Sequence, residues 1–428
     1  MTKVRVPLHF GKGFVEVEVP EENVMAILEP KDLPAVPDDG AEVRRALRKP
    51  IAAPTLASAA KPGKTVAIIS DDYTRVTPVR TLLPPILEEL SEAGVSDEDI
   101  TIIIALGTHR AMNRKEMEEK LGTDIVEKFN VLNHAWKDVE TLVNLGKTEL
   151  GTPVLVNGHV VKADIKVGLG NIIPHRVAGY SGGAKVVQPG VCGGETTDQT
   201  HWLSAKYKTE DILGVAENPV RLEIEAVARK VGLTMVVNTV LNRAERVVKV
   251  LAGDAIMAHR AGVAEAERVF RVELAKPADI VVCDSHPADV DMWQANKGIT
   301  AAGLAVKPGG TIVYITPCSE GISSEHPAVE KLGYMPYRKI KEIVEKGEVE
   351  DLSAAAHIAH VGRIIIDKAP CILVSEGISR SEAYHVGFDY AETPQEALDK
   401  AFERHGPRAK VAVMRNTPEL LPIIAKAG

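Results

Sequence analysis

Short apolar runs alternate with amphipathic stretches along most of the chain, and that alternation predicts its fold class. Residues 1–20 switch between apolar and polar at every position on either side of Gly11 and Gly13, the pattern of a β-hairpin. A Pro-punctuated segment follows to about residue 60. TVAIIS (65–70) is then a short apolar run of the kind a buried parallel strand shows. It ends in DDYTRVTP, and TLLPPILEELSEAG follows as a helix. TIIIALG (101–107) predicts a second strand, leading through THRAMNRKEMEEKLG into a helix that Thr108 is placed to cap. ADIKVGLGNIIPHR is a third strand opening into a glycine-rich loop, and LTMVVNTVLN (233–242) and RVVKVLAG add further β structure. After the long helix DAIMAHRAGVAEAERVF, a second unit starts at ADIVVCDSHP (278–287). Its strands include TIVYITP (311–317) and CILVSEG (371–377), and KIKEIVEKGE is helical. The tail KVAVMRNTPELLPIIAKAG is expected to form one more strand and helix, and periodicity does not assign it to either unit.

This alternation predicts an α/β protein of two layered domains with mainly parallel sheets and an active-site cleft between them. The expected domains span 1–272 and 273–407, with the tail 408–428 free to pack back on the first. Ligands of such folds sit beyond the carboxyl ends of the strands. DDYTR, GTHR and the NIIPHR loop all lie there, so three polar clusters are expected to converge on one crevice.

Composition narrows the partners. The chain of 428 residues is 45% hydrophobic and 26% charged, which suits a soluble globular protein. Aromatic residues make up only 4%, so Val, Ile, Leu and Ala must fill the core. A net charge of -8 argues against a nucleic-acid partner. Cys192, Cys283, Cys318 and Cys371 form no CxxC pair, as expected in a reducing compartment. No apolar run approaches the roughly 18 residues of a membrane span, and the N-terminus lacks an apolar signal region. The expectation is a cytoplasmic enzyme that binds neither membrane nor nucleic acid.

The polar clusters carry the candidate chemistry. In SDDYTR, Ser70 and the aspartates either cap the next helix or, with Arg75 as a bidentate clamp, bind an anion. His109 follows an isoleucine-rich strand, where a neutral imidazole can accept and return a hydroxyl proton. His175 precedes the glycine loop and offers a second proton acceptor, or only a loop-stabilising hydrogen bond. Within GYSGGAK (179–185), neither a Walker A motif nor GxGxxG is present. Serine and glycine amides there can still cradle a phosphate, and Lys185 suits a phosphate contact or a covalent bond. His201 ends QPGVCGGETTDQTH, and one histidine cannot hold a metal unless other donors come from outside the chain; Cys192 is a competing soft ligand. In DVDMWQANKGI (289–299), Gln294 and Lys297 share a helix face, either solvated or turned to an anion across the cleft.

Together DDYTR, GTHR, PHRVAGYSGGAK, the His201 region, ENPVR (217–221) and WQANKG resemble the lactate racemase family, spread over roughly residues 70 to 300. The C-terminal third is similar in architecture more than in motif. The resemblance implies a nickel-pincer nucleotide: a pyridinium-3-thioamide-5-thiocarboxylic acid mononucleotide that grips nickel through two sulfur-bearing groups and a ring carbon. It implies a thioamide tether to Lys185 and His201 as the remaining metal ligand, which resolves the one-histidine problem. Asp72, Tyr180, Ser181, Gly182 and Gly183 then bind the cofactor, whose flat ring would explain the glycines. Arg75, Trp293, Gln294 and Lys297 contact the substrate. One of His109 and His175 removes the 2-hydroxyl proton, the C2 hydride moves to the cofactor, and a planar 2-keto acid takes it back on its other face. The implied partners are a small 2-hydroxy acid and the proteins that make the cofactor and insert its nickel.

There are departures. Lactate-specific members carry Tyr at the position of Trp293 and a further Trp in the second unit, which this chain lacks. The matching stretch here is DLSAAAHIAHVGR (351–363), with His357, His360 and Arg363 of open role. That opens the substrate to larger, polar, dicarboxylic or sugar-type 2-hydroxy acids. The alternatives are a nickel-free enzyme using Lys185 as a Schiff-base or phosphate lysine, and a non-catalytic cofactor carrier.

Overall fold

Two six-stranded sheets, each layered with helices, organise the chain in the computed structural model, which describes residues 2–425. The first sheet runs in the order Val247–Gly253, Met235–Leu241, Ile165–Asn171, Val66–Asp71, Ile100–Ala105, Asn130–Asn133. Only its outermost pair, 247–253 with 235–241, is antiparallel. Every residue of Ile165–Asn171 and Met235–Leu241 is buried. That is why these strands appear in the sequence as near-continuous apolar runs rather than alternating ones.

The second sheet is wholly parallel, in the order Asp389–Tyr390, Cys371–Val374, Val306–Ile315, Ala278–Asp284, Val411–Met414, Val24–Leu28. Two domain expectations are corrected here. The hairpin Lys3–Phe10 with Gly13–Pro20 forms as expected, but Val6, Leu8, Val17 and Val19 pack with Ile280, Val282 and Val413 in the second unit. With Val24–Leu28 as that sheet's edge strand, the chain begins in the second unit and crosses to the first only afterwards. The tail divides: its strand Val411–Met414 sits inside the second sheet, while Leu421–Ile424 packs back as expected, pairing with Arg271–Leu274 and covering Gly214. An apolar hairpin face is complementary to any sheet, so its pattern could not say which one it covers.

Two local expectations also change. Among the described residues the tail forms its expected strand but not the expected α-helix: Pro418 and Pro422 remove backbone donors, leaving a short 3-10 turn and a second strand, Leu421–Ile424, paired with Arg271–Leu274. The helix after the second strand starts at Arg114, not beside Thr108, because Asn113 and Glu116 form a reciprocal capping box. Thr108 instead turns its hydroxyl to His326 Nε2 at 3.0 Å.

The units are locked together by Gly194–Ala205 of the first and Leu352–Ile365 of the second. Asp198 accepts from the Ser353 amide (2.9 Å) and hydroxyl (2.6 Å), and Ser204 Oγ meets His360 Nε2 at 2.8 Å. Arg363 donates to the terminal carbonyls of Ala205 and Tyr207. His360 and Arg363 therefore hold the helix that carries His201. Among the described residues no helix is long and apolar enough to cross a membrane.

Candidate active site

Where the carboxyl ends of the first sheet face the second unit, a partly open cleft spans about 850 Å³ of space, its solvent-filled mouth included. His109, His175, Lys185 and His201 line it from the first unit, and Trp293, Gln294 and Lys297 from the second. Asp72, Arg75, Ser181 and Gly182 complete the expected set there. The strand-end rule accounts for the meeting of Asp72, Arg75, His109 and His175.

Two expected residues do not line the cleft. Tyr180 is fully buried in a cluster with Ile172 and Val236, its hydroxyl 3.2 Å from Glu267. A ring of that size flanked by glycines fills core rather than facing a ligand. Gly183 packs on His259, and a Cβ there would lie 2.8 Å from the Ala255 carbonyl oxygen.

The reason for the glycines changes with this. A Cβ on Gly179 would fall 2.0 Å from the Val215 oxygen, and one on Gly190 2.0 Å from the Val186 oxygen. Gly179 and Gly182 also have φ of +79° and +72°, which side chains disfavour. The loop is glycine-rich because neighbouring backbone, at Val215 and Ala255 as well as its own Val186, packs directly against it. Arg221, fully buried, then holds it by donating to the carbonyls of Ala178, Tyr180 and Gly182. Asn218 accepts from Val220 and Arg221 amides at the start of that helix. This gives ENPVR its structural meaning.

The two histidines present opposite faces of the same chemistry. His109 Nδ1 lies 2.5 Å from Asp72 Oδ2. Burial alone would raise the Asp72 carboxyl, but His109, Arg75 and Thr74 outweigh it and hold it well below the usual carboxylate range. An ionised carboxylate only accepts, so His109 carries its proton on Nδ1 and a lone pair on Nε2. Gln294 Nε2 donates to that lone pair at 2.8 Å. Burial lowers the His109 imidazole, and Asp72 opposes the shift, so the ring is kept neutral and able to accept. His175 is the reverse. Its Nδ1 accepts from the amides of Val177 (3.2 Å) and Ala178 (3.3 Å), so the neutral ring carries N–H at Nε2. Burial pushes it well below the ordinary value, assisted by Lys185, Lys297, Arg75 and Arg176. Two equal acceptors were expected; in this geometry one imidazole accepts and the other donates.

Lys185 is lowered to about 7 by burial, then by Arg75 and Arg221, against the opposing pull of Asp72 and Asp71. Burial lowers Lys297 as well, with Arg75, Lys185 and Arg176 adding to it. Four basic side chains, Arg75, Arg176, Lys185 and Lys297, thus crowd one cleft beside Asp71 and Asp72. Such a site has a net demand for an anion. Lys297 and Arg75 both reach Gln294 Oε1, which orients the amide so that its NH₂ faces His109.

His201 Nδ1 donates to the Thr197 carbonyl at 2.9 Å, leaving the Nε2 lone pair free. Burial lowers the ring to about 3, so it stays neutral and able to bind a metal. Among the described residues no group of three His, Cys, Asp or Glu side chains can hold a metal ion. Cys192 is not a competing ligand: it packs in the core, and burial raises its thiol.

Sequence reasoning missed three residues. Arg176 and Asn171 line the cleft with buried atoms, Nη1 and Oδ1, that lack a hydrogen-bond partner. Arg176 stands directly after His175 and was legible as a cleft cation. His326 stacks on Trp293 at 3.8 Å, and His357 stacks on it at 4.5 Å. His357 also takes a contact from Arg176 Nη2 at 3.2 Å. No sequence motif marks His326, which comes from a loop far along the chain.

The chain is similar to known proteins along nearly its whole length. The Lactate racemase N-terminal domain pattern matches residues 10–212 and the Lactate racemase C-terminal domain pattern residues 273–420. A lactate racemase of Thermoanaerobacterium thermosaccharolyticum is 30% identical over 409 residues, 94% of each chain. One of Lactiplantibacillus plantarum is 28% identical over 399 residues, 90% of each. The solved structure of the T. thermosaccharolyticum lactate racemase apoprotein superposes with a TM-score of 0.86 at 28% identity, covering 98% of this chain and all of that one. A Thermotoga maritima structure shares the fold at 20% identity, with a TM-score of 0.73 over 90% of this chain and 97% of that one. With both domain patterns in order and a relative 30% identical along the full length, this chain belongs to the lactate racemase family of isomerases.

Proposed function

We propose that the cleft inverts C2 of a 2-hydroxy carboxylic acid, using a nickel-pincer nucleotide tethered to Lys185 and ligated by His201. The observation that carries this reading is the complementary pair at one cleft, His109 with its Nε2 lone pair turned to Gln294 and His175 with N–H, beside a lysine lowered to about 7. The donor set fits the cofactor. One neutral imidazole with a free Nε2 suits a metal whose other donors arrive with the group. A buried amine near 7 suits covalent attachment. The unpartnered Arg176 Nη1 and Asn171 Oδ1 offer a donor and an acceptor for its polar substituents. When bound, the group supplies a hydride acceptor beside the substrate.

The chain's own residues do the rest. Arg75 and Lys297 hold the substrate carboxylate and fix which face C2 presents. His109 Nε2 takes the hydroxyl proton, and Asp72 stabilises the imidazolium that forms. His175 Nε2–H donates a hydrogen bond to the oxygen of the planar keto acid, and His109 gives its proton back to that oxygen as C2 closes, so that no proton is gained or lost for either hand. Removing a C2 proton directly would create a carbanion next to a carboxylate; taking only the hydroxyl proton lets the C2 hydrogen leave with its electron pair instead. The same reading implies partner proteins that build the cofactor and load nickel, and it places the reaction in the cytoplasm.

The test is metal content. Protein co-produced with cofactor-making proteins is expected to hold about one nickel per chain, and His201→Ala to lose it while retaining the Lys185 adduct. Nickel retained at full occupancy in His201→Ala contradicts the assignment.

A further inference from the structure

Three consecutive residues of the loop that carries the proton acceptor each bond to the second unit. Thr108 Oγ1 lies 3.0 Å from His326 Nε2, and His109 Nε2 accepts from Gln294 Nε2 at 2.8 Å. Arg110 reaches Glu320 through Nη2 at 2.9 Å and Nε at 3.2 Å. The Arg110 and Glu320 side chains are 30% and 38% exposed, so solvent screens that pair and it contributes little. Thr108 and His326 are only 5% and 2% exposed, and a bond made away from water is the stronger constraint.

His326 is itself firmly held. Its Nδ1 is 2.8 Å from Asp351 Oδ2. Burial alone would raise the Asp351 carboxyl, but His326 and the Ala354 amide outweigh it and hold the group below its ordinary value. An ionised carboxylate only accepts, so His326 keeps its proton on Nδ1. The Thr108 hydroxyl, able to donate or accept, then completes Nε2. The other Asp351 oxygen caps Leu352–Ile365, the helix that locks the two units, at the Ala354 amide (2.8 Å). The same imidazole lies 3.8 Å from the Trp293 ring, tilted by only 13°. One side chain therefore joins the acceptor's loop, the aromatic wall of the cleft and the inter-unit helix.

We infer that His326 is a positioning residue for the inversion, fixing the loop that presents His109 through the Thr108 hydroxyl and the Trp293 ring through its stack. A misplacement of about 1 Å at a reacting pair costs on the order of 10²-fold in rate. Inversion sharpens the demand, because the planar keto acid must turn over while the acceptor stays in place. The His109 side chain is held by Asp72 and Gln294, and its main chain is held from the second unit through Thr108. This role rests on His109 being the proton acceptor proposed above.

The test uses holoenzyme, with kcat expressed per chain that carries the Lys185 adduct by intact mass. Turnover is followed on the best substrate of a panel of lactate, malate, phenyllactate and gluconate, resolving both C2 forms. Thr108→Val keeps the side chain's shape and removes the hydroxyl, and His326→Phe keeps a flat ring against Trp293 and removes both nitrogens. Each is expected to lower kcat by about tenfold with KM changed by less than about twofold. The double variant is expected to be no slower than the slower single one, since both remove the same bond. Thr108→Ser is expected to stay within about twofold of the unaltered enzyme. Thr108→Val against Thr108→Ser decides the matter alone if the ring variant carries no adduct. Unchanged kcat in Thr108→Val, or losses that multiply in the double variant, overturn the positioning role. If His109→Asn is inactive in the same assay, that outcome leaves the acceptor standing. Full activity in His109→Asn, or holoenzyme inert toward the whole panel, overturns both readings.

Discussion

Lys185→Ala is expected to abolish turnover entirely and to remove a covalent adduct of nucleotide mass from the purified protein. Lys185 sits in the cleft, its amine lowered to about 7 by burial and by Arg75 and Arg221. An ordinary lysine is almost wholly protonated at neutral pH, and a protonated amine is no nucleophile. Here the neutral form is populated above about pH 7, so adduct formation in vitro is expected to rise through that region rather than near 10. Lys185→Arg sharpens the result: it keeps a cation among the same neighbours but has no amine to attach. Both variants are expected to fold, to lack the adduct, and to be inactive. Intact mass spectrometry reads the adduct, and chiral chromatography reads the activity. A Schiff-base lysine without nickel would instead show no adduct until carbonyl substrate and reductant were added.

His109→Asn is expected to lower kcat by about 10²- to 10⁴-fold, the usual range for loss of a positioned base. The adduct and nickel should remain, because neither Lys185 nor His201 contacts His109 in the hydrogen-bond network. Asp72→Asn provides the companion test. Asp72 Oδ1 accepts from the Thr74 amide (3.0 Å) and hydroxyl (2.6 Å), so an asparagine would place its oxygen there and its NH₂ toward His109. That NH₂ forces the imidazole proton onto Nε2, where the base is needed. The loss expected is again about 10²- to 10⁴-fold in kcat with little change in KM. A role for Asp72 confined to loop packing would instead lower thermal stability and leave the pH profile of kcat unmoved.

Much of the site was legible because it follows strand ends. DDYTR, GTHR and PHR each close an apolar run, and the runs are consecutive neighbours in one sheet, so their loops had to meet. The i, i+3 spacing of Gln294 and Lys297 likewise survived into contact, since it depends only on local helix geometry. What escaped prediction depended on long-range packing. The N-terminal hairpin packs on, and Val24–Leu28 joins, a sheet whose other strands begin some 250 residues later. No local pattern encodes that choice. The tautomers of His109 and His175 depend on a carboxylate and on two amides whose directions only the fold supplies. Tyr180 was misplaced because proximity in sequence to Lys185 is not proximity to the cleft. The glycines, expected to make room for a ring, make room for Val215, Val186 and Ala255 backbone instead.

The central claim is that the C2 hydrogen leaves and returns within the cleft while His109 and His175 handle only the hydroxyl proton. Substrate deuterated at C2, turned over in ordinary water by adduct-bearing enzyme, tests it most directly. Mass spectrometry of the inverted product is expected to show deuterium largely retained at C2. Complete washout to solvent hydrogen would contradict the account.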